Sequence, residues 1–124
     1  MQKTRISLSV NEAVERLKAA IQEKGFGIFA EIDHRQNAQG VDLDMPDSRV
    51  LIFGNPLAGT KLMQKDIFMS LDLPLRLAVV ERDGETWLLH QQSGDYAALY
   101  DVEGHPVLEK IDSLFAALSS EVNA

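Results

Sequence analysis

The sequence predicts an α+β fold in which a two-layer arrangement places the helices on one face of an antiparallel sheet. Three observations predict it: a strand-like segment and an amphipathic helix open the chain, strand-like segments fill its middle, and helical segments close it. This order fits a sheet whose helices are segregated to one side. The length of 124 residues suits one hydrophobic core, so we expect a single domain over 1–124.

The first strand and helix are indicated by a change in the hydrophobic period. Polar and apolar side chains alternate over residues 3–8, as in a half-buried strand. Ser9 then precedes Glu12 at the spacing of a helix capping box. Apolar residues follow at helical spacing up to Lys24-Gly25, where a cation and a glycine predict the end of the helix.

The middle of the chain predicts most of the sheet. Residues 26–32 predict a second strand whose even-numbered, apolar side chains share one face. A polar loop is expected over 35–40, and 41–43 is a candidate edge strand. The continuous apolar run over 49–53 is typical of a central strand.

A short helix is expected after this central strand. Pro56 fits the first helical position and Asn55 fits the cap before it, so a helix is predicted over 57–65. An Asp-Gly pair further on is a strong hairpin signal between two strands. The remaining elements are predicted as strands over 75–81 and 86–91 and as helices over 93–100 and 106–121.

Charge and composition exclude several classes of function. The net charge is −7 and the lysines and arginines are scattered, whereas nucleic-acid binding needs a basic face. We therefore expect no nucleic-acid partner and no anionic membrane partner. The absence of cysteine excludes disulfides and thiolate metal sites. No apolar segment suits a signal peptide or a membrane span, so a cytoplasmic location is expected.

Three segments, taken in order, resemble a known family. An Asp-His pair at 33–34 is followed by Phe-Gly-Asn-Pro at 53–56 and by Leu-Asp-Leu-Pro-Leu at 71–75. Together they resemble domain-of-unknown-function family 302, and the resemblance runs from the first strand to the short helix near Tyr96.

The resemblance implies a fold similar to the saddle-shaped halves of TATA-binding protein, in the order β-α-β(4)-α, and it implies a homodimer. The family has no established activity, so no catalytic residue follows from it and an enzymatic role stays open. The chain departs from the family in two places: its stretch 35–38 is not alanine-rich, and His90 stands where many members have a tyrosine.

The first candidate site is the start of the helix after the central strand. Gly54 and Asn55 lead into a helix whose first N–H groups lie at the positive end of the helix dipole, which can bind an anion. Lys61 and Arg76 are expected to add positive charge. The structural alternative is that Asn55 only caps the helix and that Gly54 only supplies a tight bend.

Two further candidates involve acidic side chains. His34 could act as a general base beside Asp33, but neighbouring residues on an extended strand point to opposite faces, so the alternative is a loop pair bonded to the backbone. Asp72 and Arg76 could belong to a site on the open face of the sheet, or they could form a structural ion pair.

Metal and cofactor motifs are absent from the sequence. The histidines His34, His90 and His105 stand at no ligand spacing, and neither a nucleotide-binding loop nor a nucleophile elbow occurs. The sequence therefore predicts no metal site and no cofactor.

The favoured hypothesis is a binding module for a small anionic ligand in the cleft between the sheet and the helix start. The alternative is a homodimeric structural or protein-interaction domain without catalytic activity, and a third hypothesis is an enzyme that uses His34 or Asp72 as acid or base. The ligand-binding residues expected from the sequence are His34, Gly54, Asn55, Lys61, Asp72 and Arg76.

Overall fold

Five strands form one antiparallel sheet in the computed structural model of the chain, which describes residues 1–123. The strand order is β1-β5-β4-β3-β2, so the first two strands occupy opposite edges and the helix between them crosses one face. The α+β fold is therefore confirmed. The strands are β1 (Gln2–Ile6), β2 (Gly27–Asp33), β3 (Ser48–Gly54), β4 (Leu75–Arg82) and β5 (Glu85–His90).

Three of the helices begin at residues that favour a helix start, which are Ser9, Pro56 and Pro106. Ser9 caps the first helix by accepting a hydrogen bond from the backbone N–H of Glu12, as the capping-box spacing predicts. Pro56 and Pro106 occupy first helical positions, where a missing N–H costs nothing. The helices are α1 (Val10–Glu23), α2 (His34–Gln39), α3 (Pro56–Lys65), α4 (Ser93–Leu99) and α5 (Pro106–Val122), with a 3₁₀ helix over Ile67–Asp72.

The hydrophobic core lies between the sheet and the helices α1 and α5. Phe53 of β3 is fully buried at its centre, with ring centroids 6.4 Å from Phe26 and 6.0 Å from Phe115, both in edge-to-face geometry. The imidazole of His90 stacks on Phe115 at 4.1 Å, so His90 packs against α5.

A bulge in β2 corrects the prediction that its even-numbered side chains share one face. The pairing register with β3 shifts between Ile28 and Ala30, so Ile28 lies opposite the buried Phe53 whereas Ala30 lies opposite the half-exposed Ile52. Because side chains alternate along a strand, the extra residue Phe29 exchanges the two faces beyond the bulge. Ala30 and Ile32 therefore face the side of the sheet opposite to Ile28.

Two predictions for the segment between β2 and β3 are wrong. Residues 35–40 were expected to form a polar loop, but the Asp33 carboxylate accepts a hydrogen bond from the N–H of Gln36 at 2.9 Å and caps the helix α2. The candidate edge strand at 41–43 is a turn, in which Asp42 adopts a φ of 61°. A positive φ is incompatible with an extended strand.

Candidate functional site

A cavity of about 440 Å³, which we call the helix-start cavity, lies beside the beginning of α3. Its size falls within the range of small-molecule sites, which are concave and mostly apolar with a few polar groups. Its walls come from the bulged part of β2, the end of β3, α3, the start of β4 and α5. Its apolar lining includes Phe26, Phe29, Leu57, Leu73, Pro74, Val107, Ile111 and Leu114.

Gly54 lines the cavity at the end of β3, where two side chains approach it closely. A Cβ atom placed on Gly54 would lie 3.3 Å from Cβ of Pro74 and 3.4 Å from Cε2 of Phe29, which is tighter than ordinary van der Waals contact. All three residues line the cavity. A larger residue at position 54 would therefore fit only if Pro74 or Phe29 moved by a few tenths of an ångström.

The start of α3 offers few free N–H groups to an anion. Oδ1 of Asn55 accepts a hydrogen bond from the N–H of Leu57 at 2.9 Å, and Pro56 has no backbone N–H. The helix start is thus largely satisfied by its own cap, which is the structural alternative foreseen for Asn55.

Positive charge reaches the cavity from two lysines on different helices. Lys61 of α3 and Lys110 of α5 both line it, and within residues 1–123 neither forms an ion pair with a carboxylate. Lys110 was not among the residues expected from the sequence. Its position on α5 gives no local signal, because only the packing of α5 beside α3 brings it to the cavity.

The six residues expected to bind a ligand do not meet in one place. Gly54, Asn55 and Lys61 line the helix-start cavity. His34 and Arg76 line a second, open depression of about 380 Å³, together with Val50 and Ile52, whose side chains face away from the α1 and α5 side of the sheet. The expectation that Arg76 adds charge at the start of α3 is therefore wrong.

Asp72 links three elements through its carboxylate. Oη of Tyr100 donates a hydrogen bond to Oδ2 of Asp72 at 2.5 Å, and Nη2 of Arg76 donates to Oδ1 at 3.3 Å. The first of these bonds raises the pKa of the Tyr100 hydroxyl, because donation to the Asp72 carboxylate favours the protonated form of the tyrosine. The contacts tie the 3₁₀ helix to β4 and to the end of α4, which is the structural role foreseen for this pair.

Asp33 and His34 also take structural positions. The Asp33 carboxylate caps α2 through the N–H of Gln36, as the backbone-bonded alternative foresees.

Within residues 1–123, no group of three or more histidines, aspartates and glutamates could hold a metal ion. In the same part of the chain, no helix has the length and hydropathy needed to cross a membrane.

One charged cluster was not apparent in the sequence. The Arg49 guanidinium donates a hydrogen bond to Oδ1 of Asn11 at 3.1 Å and lies 3.6–3.9 Å from carboxylate oxygens of Glu31, Asp33 and Asp47. Three carboxylates around one cation leave the cluster negative, so it does not suit an anion. It joins α1 to the ends of β2 and β3.

The two tyrosines provide a prediction about pH. Burial, followed by the negative charge of Asp72, raises the pKa of Tyr96 to about 12, and the hydrogen bond to Asp72 raises that of Tyr100. We therefore expect the folded protein to show less tyrosinate than the unfolded chain at pH 10, the ordinary pKa of a tyrosine. Because the pKa of Tyr96 rises on folding, its contribution to stability is complete below pH 10 and is lost as the pH approaches 12.

An absorbance titration of tyrosinate in folded and urea-unfolded protein would test this prediction. Tyr96→Phe and Tyr100→Phe each leave one tyrosine, so the two transitions can be assigned separately. Equal ionisation of the folded and unfolded protein at pH 10 would contradict it.

Comparison with known proteins identifies the family. The sequence profile of the family described as "Domain of unknown function DUF302" matches residues 2–118. The chain belongs to the DUF302 family. The family indicated by the segments 53–56 and 71–75 is therefore confirmed.

A solved structure supports the DUF302 fold. The crystal structure of an uncharacterized conserved DUF302 protein from Bacillus stearothermophilus matches this chain with a TM-score of 0.81, over 98% of this chain and 96% of that chain. The sequence identity is 20%, so the likeness shows the fold alone.

Part of the chain matches part of several curated relatives, which are much longer proteins. The proteins named "Fluoride-specific ion channel FluC 1" of Brucella suis and Brucella abortus are each 41% identical over 81 residues, which is 64% of this chain. The match spans 32% and 30% of their lengths, respectively, so most of each relative lies outside it.

Proposed function

We propose that this DUF302 chain is a binding module for a small anion, held in the helix-start cavity. The observation that carries the proposal is the pair Lys61 and Lys110, which line one concave apolar cavity from two helices without a carboxylate partner in residues 1–123. The chain has a net charge of −7, so unpaired cations at a single cavity stand out against its overall charge.

The surroundings of the two lysines strengthen their attraction for an anion. The cavity wall is mostly apolar, and charges interact more strongly beside apolar surroundings than in bulk water. Asn55 uses its side-chain oxygen for the helix cap, which leaves its amide nitrogen as a hydrogen-bond donor at the same cavity. The proposed site thus keeps Gly54, Asn55 and Lys61 from the sequence analysis and adds Lys110.

The Brucella relatives are named for an anion, fluoride, which agrees with an anionic ligand. A bare fluoride ion is small and strongly hydrated, so an apolar cavity of about 440 Å³ gives it little in exchange for its water. We therefore propose a larger anion for this chain, and fluoride belongs in the test as a competing outcome.

A thermal-shift screen with carboxylates, inorganic phosphate and fluoride tests the proposal. We expect at least one anion to raise the melting temperature of the native chain and to have no effect on a Lys61→Met/Lys110→Met variant. Lys3→Met is the matched control, because Lys3 lies on the edge strand β1 and has no ion pair within residues 1–123. A screen in which no anion raises the melting temperature would contradict the proposal.

The open sheet face favours a second candidate, a homodimer. Ile32, Val50, Ile52, Ala78 and Leu89 line the depression on this face, which lies opposite the packed α1 and α5. A second copy would present the same apolar face and so could cover it by two-fold pairing. Sedimentation at micromolar concentration tests this candidate, with Val50→Lys expected to dissociate the dimer. A native chain that sediments as a monomer removes it.

A further inference from the structure

We propose that the ligand of the helix-start cavity is an amphiphilic carboxylate, whose head is bound by Lys61 and Lys110 and whose unbranched apolar tail lies in the cavity. This inference rests on the proposed function and narrows the anion to one chemical class. It combines two features of the same cavity, its apolar wall and its two cations.

The apolar wall accounts for the tail. Apolar side chains from two helices, two strands and the segments beside them line the cavity. Two large ones stay open to solvent: Leu57 is 67% exposed and Phe29 is 59% exposed. When an apolar ligand covers large apolar side chains that surround a cavity and remain in water, the free energy of the system falls, which favours binding. An inorganic anion would leave this surface wet.

The nature of the cations accounts for the head. Geometrically specific binding of phosphate in proteins commonly uses free N–H groups at a helix start or the fork of an arginine, whereas a lysine acts as a point charge. Here Asn55 occupies the N–H of Leu57, Pro56 has none, and no arginine within residues 1–123 lines the cavity. Two lysines supply point charges on flexible stems, with Thr60 and the Asn55 amide as neutral neighbours. A carboxylate carries one negative charge, so it costs less to bring beside an apolar wall than a doubly charged phosphate does.

Isothermal titration calorimetry with hexanoate, octanoate and decanoate tests the tail. Each added methylene is expected to tighten binding about threefold to fourfold until the cavity is filled. Acetate is expected to bind too weakly to measure. If acetate and octanoate bind equally well, the tail is not recognised and the inference is overturned.

Uncharged octanol tests the head. We expect octanol to bind several-fold more weakly than octanoate, and we expect this difference to vanish in the Lys61→Met/Lys110→Met variant while Lys3→Met keeps it. If octanol binds the native chain as tightly as octanoate, the lysines have no role, and both this inference and the proposed function fail.

A pair of surface substitutions ties binding to this cavity. Leu57→Glu places a negative charge at the cavity and is expected to weaken octanoate binding roughly fivefold or more, since a like charge opposes the head. Leu71→Glu is the matched control, because Leu71 is 84% exposed and does not line the cavity. Equal weakening by both substitutions would mean that octanoate binds elsewhere and would overturn the inference.

The inference and the proposed function can fail separately. If inorganic phosphate binds in a manner that depends on Lys61 and Lys110 while octanoate does not bind, the anion site stands and the amphiphile is wrong. If neither octanoate nor phosphate nor fluoride binds, both are wrong.

Discussion

Replacement of Phe53 by alanine is expected to lower the free energy of unfolding by about 3–5 kcal/mol, the usual range for a buried phenylalanine. Phe53 is fully buried in β3, and its ring meets Phe26, which lies between α1 and β2, and Phe115 of α5. Truncation would remove both edge-to-face contacts and leave a void that the surrounding strands and helices can only partly close.

Urea denaturation with circular dichroism would measure the effect of Phe53→Ala. A matched control is Phe68→Ala, because the Phe68 side chain is 77% exposed and its loss should change stability by about 0.5 kcal/mol or less. Similar losses for the two variants would show that Phe53 does not occupy the centre of the core.

Gly54→Val is expected to destabilise the fold by about 1–3 kcal/mol and to abolish ligand binding in the helix-start cavity. Valine suits an extended strand, so the backbone is not the obstacle. The obstacle is space, since even a Cβ atom would come within 3.3 Å of Pro74 and 3.4 Å of Phe29. Because those two residues line the cavity, relieving the clash must displace part of its wall.

Gly59→Ala provides the control, because Gly59 lines the same cavity but a Cβ atom there meets nothing within 4 Å. It lies inside α3, where alanine is expected to stabilise the helix by about 0.5–1 kcal/mol. Thermal melting with and without octanoate would compare the two variants. If Gly54→Val melts like the native chain and still binds octanoate, the close packing around Gly54 is not required.

Local sequence signals predicted the elements that depend on neighbouring residues. Ser9 and Glu12 fixed the start of α1, and Pro106 fixed the start of α5. The hairpin between β4 and β5 was predicted from Asp83-Gly84, whose φ values of 54° and 78° are those of a turn that needs an aspartate or a glycine. Each of these signals is a hydrogen bond or a backbone preference within a few residues.

Sequence reasoning failed where the outcome depends on pairing between distant segments. The bulge at Phe29 comes from the register of β2 against β3, which the alternation within β2 does not reveal. The helix α2 was missed because an aspartate that accepts hydrogen bonds from nearby backbone N–H groups is typical of a loop as well as of a helix cap. The bond of Asp33 was interpreted as a loop contact.

The candidate site was predicted only in part for the same reason. Gly54, Asn55 and Lys61 are close in sequence and meet at the cavity, whereas Arg76 lies on the opposite face because side chains alternate along β4. Lys110 comes from the last helix of the chain, and only the packing of α5 beside α3 brings it to the same cavity as Lys61.

The bulge in β2 also bears on how the protein avoids association through its sheet edges. A long, regular edge strand is a template on which another chain can add a strand and begin aggregation. β1 has only five residues, and the register of β2 is broken between Ile28 and Ala30. Neither edge therefore offers an incoming strand a long uninterrupted ladder of backbone donors and acceptors, which protects the folded protein from fibril-like stacking.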